Sequence, residues 1–248
     1  MSDLSWLTAR HYAHRGLHDA SKGIIENTQS AVSAAIAAGY GIEVDLRLAA
    51  DGEAMVFHDA TLSRLTREFG LLIERSSAEL RKLPFKSTGD RMMTLRELTE
   101  QVAGRTPLLL EVKSEWGKVG PLERRVTQVL RAYRGPVAVM SFDPNSLLAL
   151  SKFAPALPRG IVSGCFRDVE YWHELSRWRR FILRHLLHSY RTRPNFVAYD
   201  IADLPNPAPL VARKFFGLPL LTWTVRTEGE RARAEKYTDA MIFEGFLP

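Results

Sequence analysis

Seven side chains in this sequence have the chemistry of a phosphate site: the carboxylates Glu43, Asp45 and Glu111, the imidazoles His14 and His58, and the permanent cations Arg15 and Lys113. Carboxylates brought together repel unless a cation compensates them. With backbone or water oxygens, three of them suit a hard divalent ion such as Mg²⁺ or Ca²⁺. Two histidines that titrate near neutrality suit a general base and a general acid. An arginine and a lysine suit a phosphate group. Together these types imply cleavage of a phosphate ester, with the cation and the arginine stabilising charge on the phosphorus oxygens.

The elements that must position them centre on Gly41 to Asp59, where two alternating apolar and polar runs flank Asp51-Gly52. That dipeptide predicts a two-residue hairpin turn. A turn of that length sets Asp45 opposite His58 and Glu43 opposite Ala60. Side chains alternate along a strand, so Glu43, Asp45 and His58 are expected on one face. Val44, Leu46, Leu48, Met55 and Phe57 then fill the other.

Elsewhere, strands are expected near residues 12, 42, 109, 139, 161, 198, 222 and 241, with helices between them. Gln29 to Ala38 reads as a helix stopped by Gly39. Ser76-Ser77-Ala78-Glu79 and Thr94-Leu95-Arg96-Glu97 read as capping boxes. Asp143-Pro144 reads as an N-cap followed by a first-turn proline. Regular alternation predicts a (β/α)₈ TIM barrel; a doubly wound open sheet would want a glycine-rich turn after the first strand, which the sequence lacks. A barrel places catalytic groups at the carboxyl ends of its strands. His14 and Arg15 end the first strand, Glu43 and Asp45 the second, Glu111 and Lys113 the third, and Trp223 and Arg226 the seventh, while the hairpin returns His58 to the same rim. Taken singly, Lys113 could be a solvated lysine and Trp223 a core residue. Their common rim gives them meaning.

Composition sets the bounds. With 248 residues, 46% hydrophobic and 25% charged, the chain is expected to fold as one globular domain over 1–248. No apolar run approaches the roughly 18 residues of a spanning helix. The amino terminus lacks a basic start followed by an apolar stretch, so no secretory signal is expected. The lone Cys165 permits no internal disulfide. A cytoplasmic setting follows as the expectation. The net charge of +6 is uneven, because residues 165–193 hold seven arginines against Asp168, Glu170 and Glu174.

The ordered set His14-Arg15-Gly16, Glu26-Asn27-Thr28, Glu43-x-Asp45, Asp51-Gly52, His58-Asp59 with Arg64-Leu65-Thr66, Glu111-x-Lys113, Ser141-Phe142 and Trp223-Thr224-Val225 resembles the glycerophosphodiester phosphodiesterase family over nearly the whole chain. The resemblance implies a TIM barrel with a small insertion after strand two, at about 46–93. It implies a divalent metal on Glu43, Asp45 and Glu111, His14 and His58 as the acid–base pair, and Arg15 and Lys113 on the phosphate. Trp223 is assigned to the substrate. Glu26 and Asn27 are assigned supporting roles, Glu26 standing either at the metal or behind it. The implied reaction yields glycerol 3-phosphate and an alcohol. Two places depart from the family pattern: Arg226 stands where Asn is common, and the end of the last strand, Phe243-Glu244-Gly245-Phe246, lacks the Asp usual there.

Residues 165–193 carry Trp172, Trp178 and Phe181 among their arginines. They read either as an outer barrel helix or as a peripheral contact with an anionic membrane. The second reading would favour a lysophospholipase D-type enzyme acting on lipid. No motif supports nucleic-acid binding. A silent phosphate-binding barrel is the reading outside catalysis, and it would have no use for an acid–base pair.

Overall fold

The computed structural model describes residues 3–167, 172 and 174–248. Its strands are β1 (Tyr12–Ala13), β2 (Gly41–Leu48), β3 (Ala54–Val56), β4 (Leu108–Val112), β5 (Val137–Ser141), β6 (Arg159–Ser163), β7 (Phe196–Asp200), β8 (Leu220–Val225) and β9 (Ala240–Phe243). Parallel pairing runs β1-β9-β8-β7-β6-β5-β4-β2 and closes where β1 pairs with β2, while β3 lies antiparallel on β2. With helices between the strands, this is the expected (β/α)₈ barrel.

Strand alternation divides the core in two. Tyr12, Leu109, Met140, Val162, Phe196 and Ile242 belong to the cluster inside the barrel. Ile42, Val44, Leu46, Leu108, Leu110 and Val112 face outward and pack with Val32, Leu98 and Val126 of the surrounding helices. Glu43, Asp45 and Glu111, out of phase with those neighbours, therefore point inward, above the apolar layers.

The predicted punctuation holds. Helix Gln29–Ala38 begins under the Thr28 side chain and ends at Gly39. Ser76 and Thr94 form reciprocal capping boxes with Glu79 and Glu97, and Asp143 caps a helix that opens on Pro144. A further helix starts at Pro207, where Asn206 caps it by accepting from the Ala208 N–H.

The hairpin differs from expectation by one residue. Leu46 pairs with Val56 and Leu48 with Ala54, and the Ala49 N–H bonds to the Glu53 carbonyl at 2.9 Å. The loop is thus three residues, Ala50-Asp51-Gly52. It is a turn closed by the Gly52 N–H on the Ala49 carbonyl at 3.0 Å, with Gly52 at φ +81; Asp-Gly serves this longer loop as well as the shorter one. A slip of one residue reverses faces. Asp45 is therefore opposite Phe57, whose N–H donates to the Asp45 carbonyl at 3.0 Å. Met55 and Phe57 leave the face of Leu46 and build a separate core with Leu62, Leu72, Leu80 and Phe85.

In the basic segment the helix is short, Arg177–Arg184, followed by a single turn at Ser189–Thr192. Arg184 grips Asp203 at 3.0 and 2.6 Å. Arg180 donates to the Leu175 and Trp172 carbonyls, both at 2.9 Å, and Arg179 lies 4.8 Å over the Trp116 ring. Leu183 is buried, while Trp178 and Phe181 stack at 5.4 Å on the exposed side. Asp168, Glu170 and His173 lie outside the described residues.

Candidate active site

The rim begins with a tight passage after β1. Gly16 has φ +80, and a Cβ there would meet Ala31 at 2.9 Å, so the chain can fold back onto the following helix only with glycine at this point. Arg15 and Asn27 are also left-handed, at φ 56 and 59. The Asn27 N–H bonds to the Arg15 carbonyl at 2.8 Å and the Arg15 N–H to Glu43 Oε2 at 3.0 Å, which holds both in place. Unusual backbone of this kind tends to gather where side chains must be aimed.

Asp45 and Glu111 are register partners across β2 and β4, and Glu43 lies two residues before Asp45. Ligand atoms of Glu43, Asp45 and Glu111 all fall within 4.8 Å of one another, and all three side chains are buried. Lys113 Nζ stands 3.0 Å from Asp45 Oδ1 and 2.6 Å from Glu111 Oε1. Asn27 Nδ2 donates to Asp45 Oδ2 at 3.0 Å, and Arg15 Nε is 3.3 Å from the same oxygen.

Burial, reinforced by the charges of Asp45 and Glu111, pushes the Glu43 carboxyl well above its usual range. Burial also opposes ionisation of Asp45, but Lys113, His58, Arg15 and His14 overcome it and hold that carboxyl below its usual range. The cluster is therefore short of positive charge, and that shortage favours the protonated form of Glu43. A hard divalent cation would serve the same end with all three carboxylates ionised, so these oxygens fit such an ion.

Both histidines carry a carboxylate on Nδ1. His14 Nδ1 lies 2.7 Å from Glu244 Oε2, and His58 Nδ1 lies 2.7 Å from Asp59 Oδ1. An ionised carboxylate only accepts, so it fixes Nδ1 as the protonated nitrogen and leaves Nε2 for chemistry. Burial keeps His14 below its usual value despite the Glu244 bond. Glu244 falls to about 2, through the hydrogen bond from His14 against the opposing effect of burial, with Arg226 adding to it. The pair therefore stands as neutral imidazole and carboxylate. Burial would raise Asp59, yet hydrogen bonds from His58 and Arg64 hold it low.

Glu26 lies between two arginines in this arrangement. It accepts from Arg15 Nη1 at 2.6 Å and from Arg64 at 2.8 and 2.7 Å, and Arg64 also holds Asp59 at 2.5 and 3.1 Å. A cleft of about 680 Å³ opens beside His58, Arg64, Glu111 and Lys113, with Trp116, Phe142 and Trp172 in its wall. Trp223 donates from Nε1 to the Ala198 carbonyl at 3.3 Å and meets Phe142 edge-on at 5.4 Å.

Sequence reasoning missed the pairing of the two departures from the family pattern. Arg226 Nη2 donates to Glu244 Oε2 at 2.9 Å, the same oxygen that receives His14. Read separately they look like losses; in space they form one ion pair behind the imidazole. Their positions at the ends of β8 and β9, strands that neighbour each other in a barrel, were the available signal.

The model of the Glycerophosphoryl diester phosphodiesterase family matches residues 14–245. A glycerophosphodiester phosphodiesterase of Caldanaerobacter subterraneus subsp. tengcongensis is 33% identical over 181 residues, covering 69% of this chain and 73% of that protein. Among solved structures, an Oleispira antarctica phosphodiesterase in complex with the product sn-glycerol-3-phosphate is similar with a TM-score of 0.77 at 22% identity, covering 94% of this chain and 91% of that one. A putative glycerophosphoryl diester phosphodiesterase from Silicibacter pomeroyi gives 0.78 at 24% identity, covering 94% and 89%. With the family model spanning all the rim residues from His14 to Glu244, this chain belongs to the glycerophosphoryl diester phosphodiesterase family.

Proposed function

We propose that this barrel hydrolyses glycerophosphodiesters to glycerol 3-phosphate and an alcohol, using Mg²⁺ or Ca²⁺ held by Glu43, Asp45 and Glu111. Family membership makes it a phosphoric diester hydrolase. The observation that carries the site assignment is the convergence on one rim of a buried three-carboxylate cluster and two imidazoles, each with a carboxylate on Nδ1. The ion, when bound, would draw charge from the phosphorus oxygens. Arg15 and Lys113 are the cations at hand for the phosphate. His14, kept neutral by burial, suits the base. His58, oriented by Asp59 on Nδ1 with Nε2 left toward the cleft, suits the acid. The Oleispira protein's complex with sn-glycerol-3-phosphate is in keeping with this product.

A second reading takes a lysolipid as substrate, met at a membrane through residues 165–193. The exposed Trp178–Phe181 stack favours it. Arg179, Arg180 and Arg184 weaken it, since each is already engaged within the chain. Among the described residues no helix is long and apolar enough to cross a membrane. Hydrolysis of a chromogenic phosphodiester with added divalent ion separates an enzyme from a silent binder, and a rate at background with every metal tried would refute the catalytic reading.

A further inference from the structure

Behind the His14 imidazole lies a second group of donor atoms, separate from the three carboxylates. Among the described residues, His14, His18 and Glu244 also bring ligand atoms within 4.8 Å of one another. The backbone makes this convergence. The left-handed turn at Gly16 folds the chain back after β1, with the His18 N–H on the Gly16 carbonyl and the Leu17 N–H on the Ala31 carbonyl, both at 3.0 Å. His18 thereby meets the end of β9, where its Nε2 stands 3.9 Å from Glu244 Oε1. That separation is too long for a hydrogen bond, and among the described residues His18 Nε2 is a buried polar atom without a hydrogen-bond partner. Glu244 Oε2 meanwhile takes His14 Nδ1 at 2.7 Å and Arg226 Nη2 at 2.9 Å. Buried polar atoms are normally paired. A cation between Oε1 and the His18 ring would satisfy both.

We infer that His14, His18 and Glu244 form an inhibitory site for a transition-metal cation such as Zn²⁺, distinct from the carboxylate cluster. Two imidazoles and one carboxylate are a donor set for zinc, whereas the all-oxygen cluster of Glu43, Asp45 and Glu111 suits a hard ion. The approach is open on the solvent side. Glu244 is 25% and Arg226 54% exposed, so the arginine can swing off the carboxylate as the ion enters, and water can take the remaining position. Binding there blocks the base. Neutral His14, paired with Glu244, carries its proton on Nδ1 and offers the lone pair of Nε2. A metal on Nδ1 takes the lone pair of that nitrogen, and the proton moves to Nε2. The imidazole keeps one proton, but Nε2 becomes a donor and no longer accepts. The blocking step rests on the proposed role of His14 as base; the binding does not.

Zn²⁺ binding is measured by competition with a chromophoric chelator, in saturating Mg²⁺, for wild type, His18→Ala, His18→Gln and Asp45→Asn. Wild type and Asp45→Asn are expected to hold Zn²⁺ at this site. Both His18 variants should bind it more weakly by about tenfold or more, at least the loss that follows removal of a ligand's supporting partner. Turnover of glycerophosphocholine by wild type should fall as the site fills. The His18 variants, active without zinc, should keep their rate at the same free Zn²⁺. Equal zinc affinity in wild type and both His18 variants overturns the site, and so does zinc binding that Asp45→Asn abolishes. Zinc held through His18 with turnover unchanged overturns the inhibition. No turnover of glycerophosphocholine before zinc is added is a failure of the phosphodiesterase reading, and the binding measurement separates it from failure of the site.

Discussion

Glu244 Oε2 stands 2.7 Å from His14 Nδ1, although the two residues are 230 positions apart. Barrel closure makes the contact: β1 pairs with β9, Ala13 with Phe243, so the residues that follow each strand meet. The carboxylate fixes the imidazole tautomer and favours its charged form, while Arg226 braces the carboxylate from the solvent side. Glu244→Ala should lower kcat/KM by about 10–100-fold, the usual cost of losing a partner that orients a functional histidine. The sign for pH follows from the same contact. Glu244 raises the His14 value, which burial holds low, so the acid limb of kcat/KM should lie below the usual histidine range and move lower still in Glu244→Ala. A limb that moves upward would contradict the assignment of His14 as base.

The two histidines should behave as one unit. His14→Ala and His58→Ala are each expected to lower kcat by about 10²–10⁴ with the fold intact by circular dichroism. The double variant should be little worse than either, because each needs the other. Rates near wild type in a single variant would remove that histidine from the mechanism.

Metal-free stability should carry the mark of Glu43. Its carboxyl is raised in the folded state, so the protein is favoured below the ordinary carboxyl value and loses that stability as pH rises toward the shifted one. The melting temperature of chelated protein should fall over that interval, and Mg²⁺ or Ca²⁺ should raise it most at the high-pH end. Glu43→Gln should flatten the metal-free slope and weaken the metal response. An equal slope in wild type and variant would show that Glu43 is not the group responsible.

Much of this was legible in order along the chain, and what was not is informative. Strands and helix ends follow from alternation, capping residues and glycines, all of them local signals; Thr94 and Asp143 cap, and Gly39 stops its helix, as their sequence contexts predict. Glu43, Asp45 and Glu111 converge because strand parity and parallel register are simple rules. The hairpin register escaped because Asp-Gly fits both a two-residue turn and a three-residue loop, and only packing of Met55 and Phe57 on the second core decides between them. The brace formed by Arg64 with Glu26 and Asp59 escaped because no local pattern says where a long side chain in an irregular stretch will reach. The arginines of 165–193 left open a membrane-facing reading, yet Asp203 and Trp116, remote in sequence, take Arg184 and Arg179.

That brace makes its own prediction. Arg64 ties the acid partner of His58 to Glu26, and Glu26 in turn holds Arg15. Arg64→Ala should therefore lower kcat on the order of tenfold or more while metal affinity changes little, because Asp59 loses the group that aims it. Isothermal titration with Mg²⁺ or Ca²⁺ beside steady-state kinetics separates the two effects. A large loss of metal affinity with kcat unchanged would place Arg64 with the carboxylate cluster instead.

The central claim is glycerophosphodiester hydrolysis at a metal site made by Glu43, Asp45 and Glu111. Phosphorus NMR of glycerophosphocholine with the purified protein tests it most directly, run after chelation and again after adding Mg²⁺ or Ca²⁺. The account predicts that the glycerol 3-phosphate resonance grows only when the divalent ion is returned, and that Asp45→Asn abolishes it. Full turnover in chelator with the protein verified metal-free, or an unchanged diester signal with every ion tried, would contradict it.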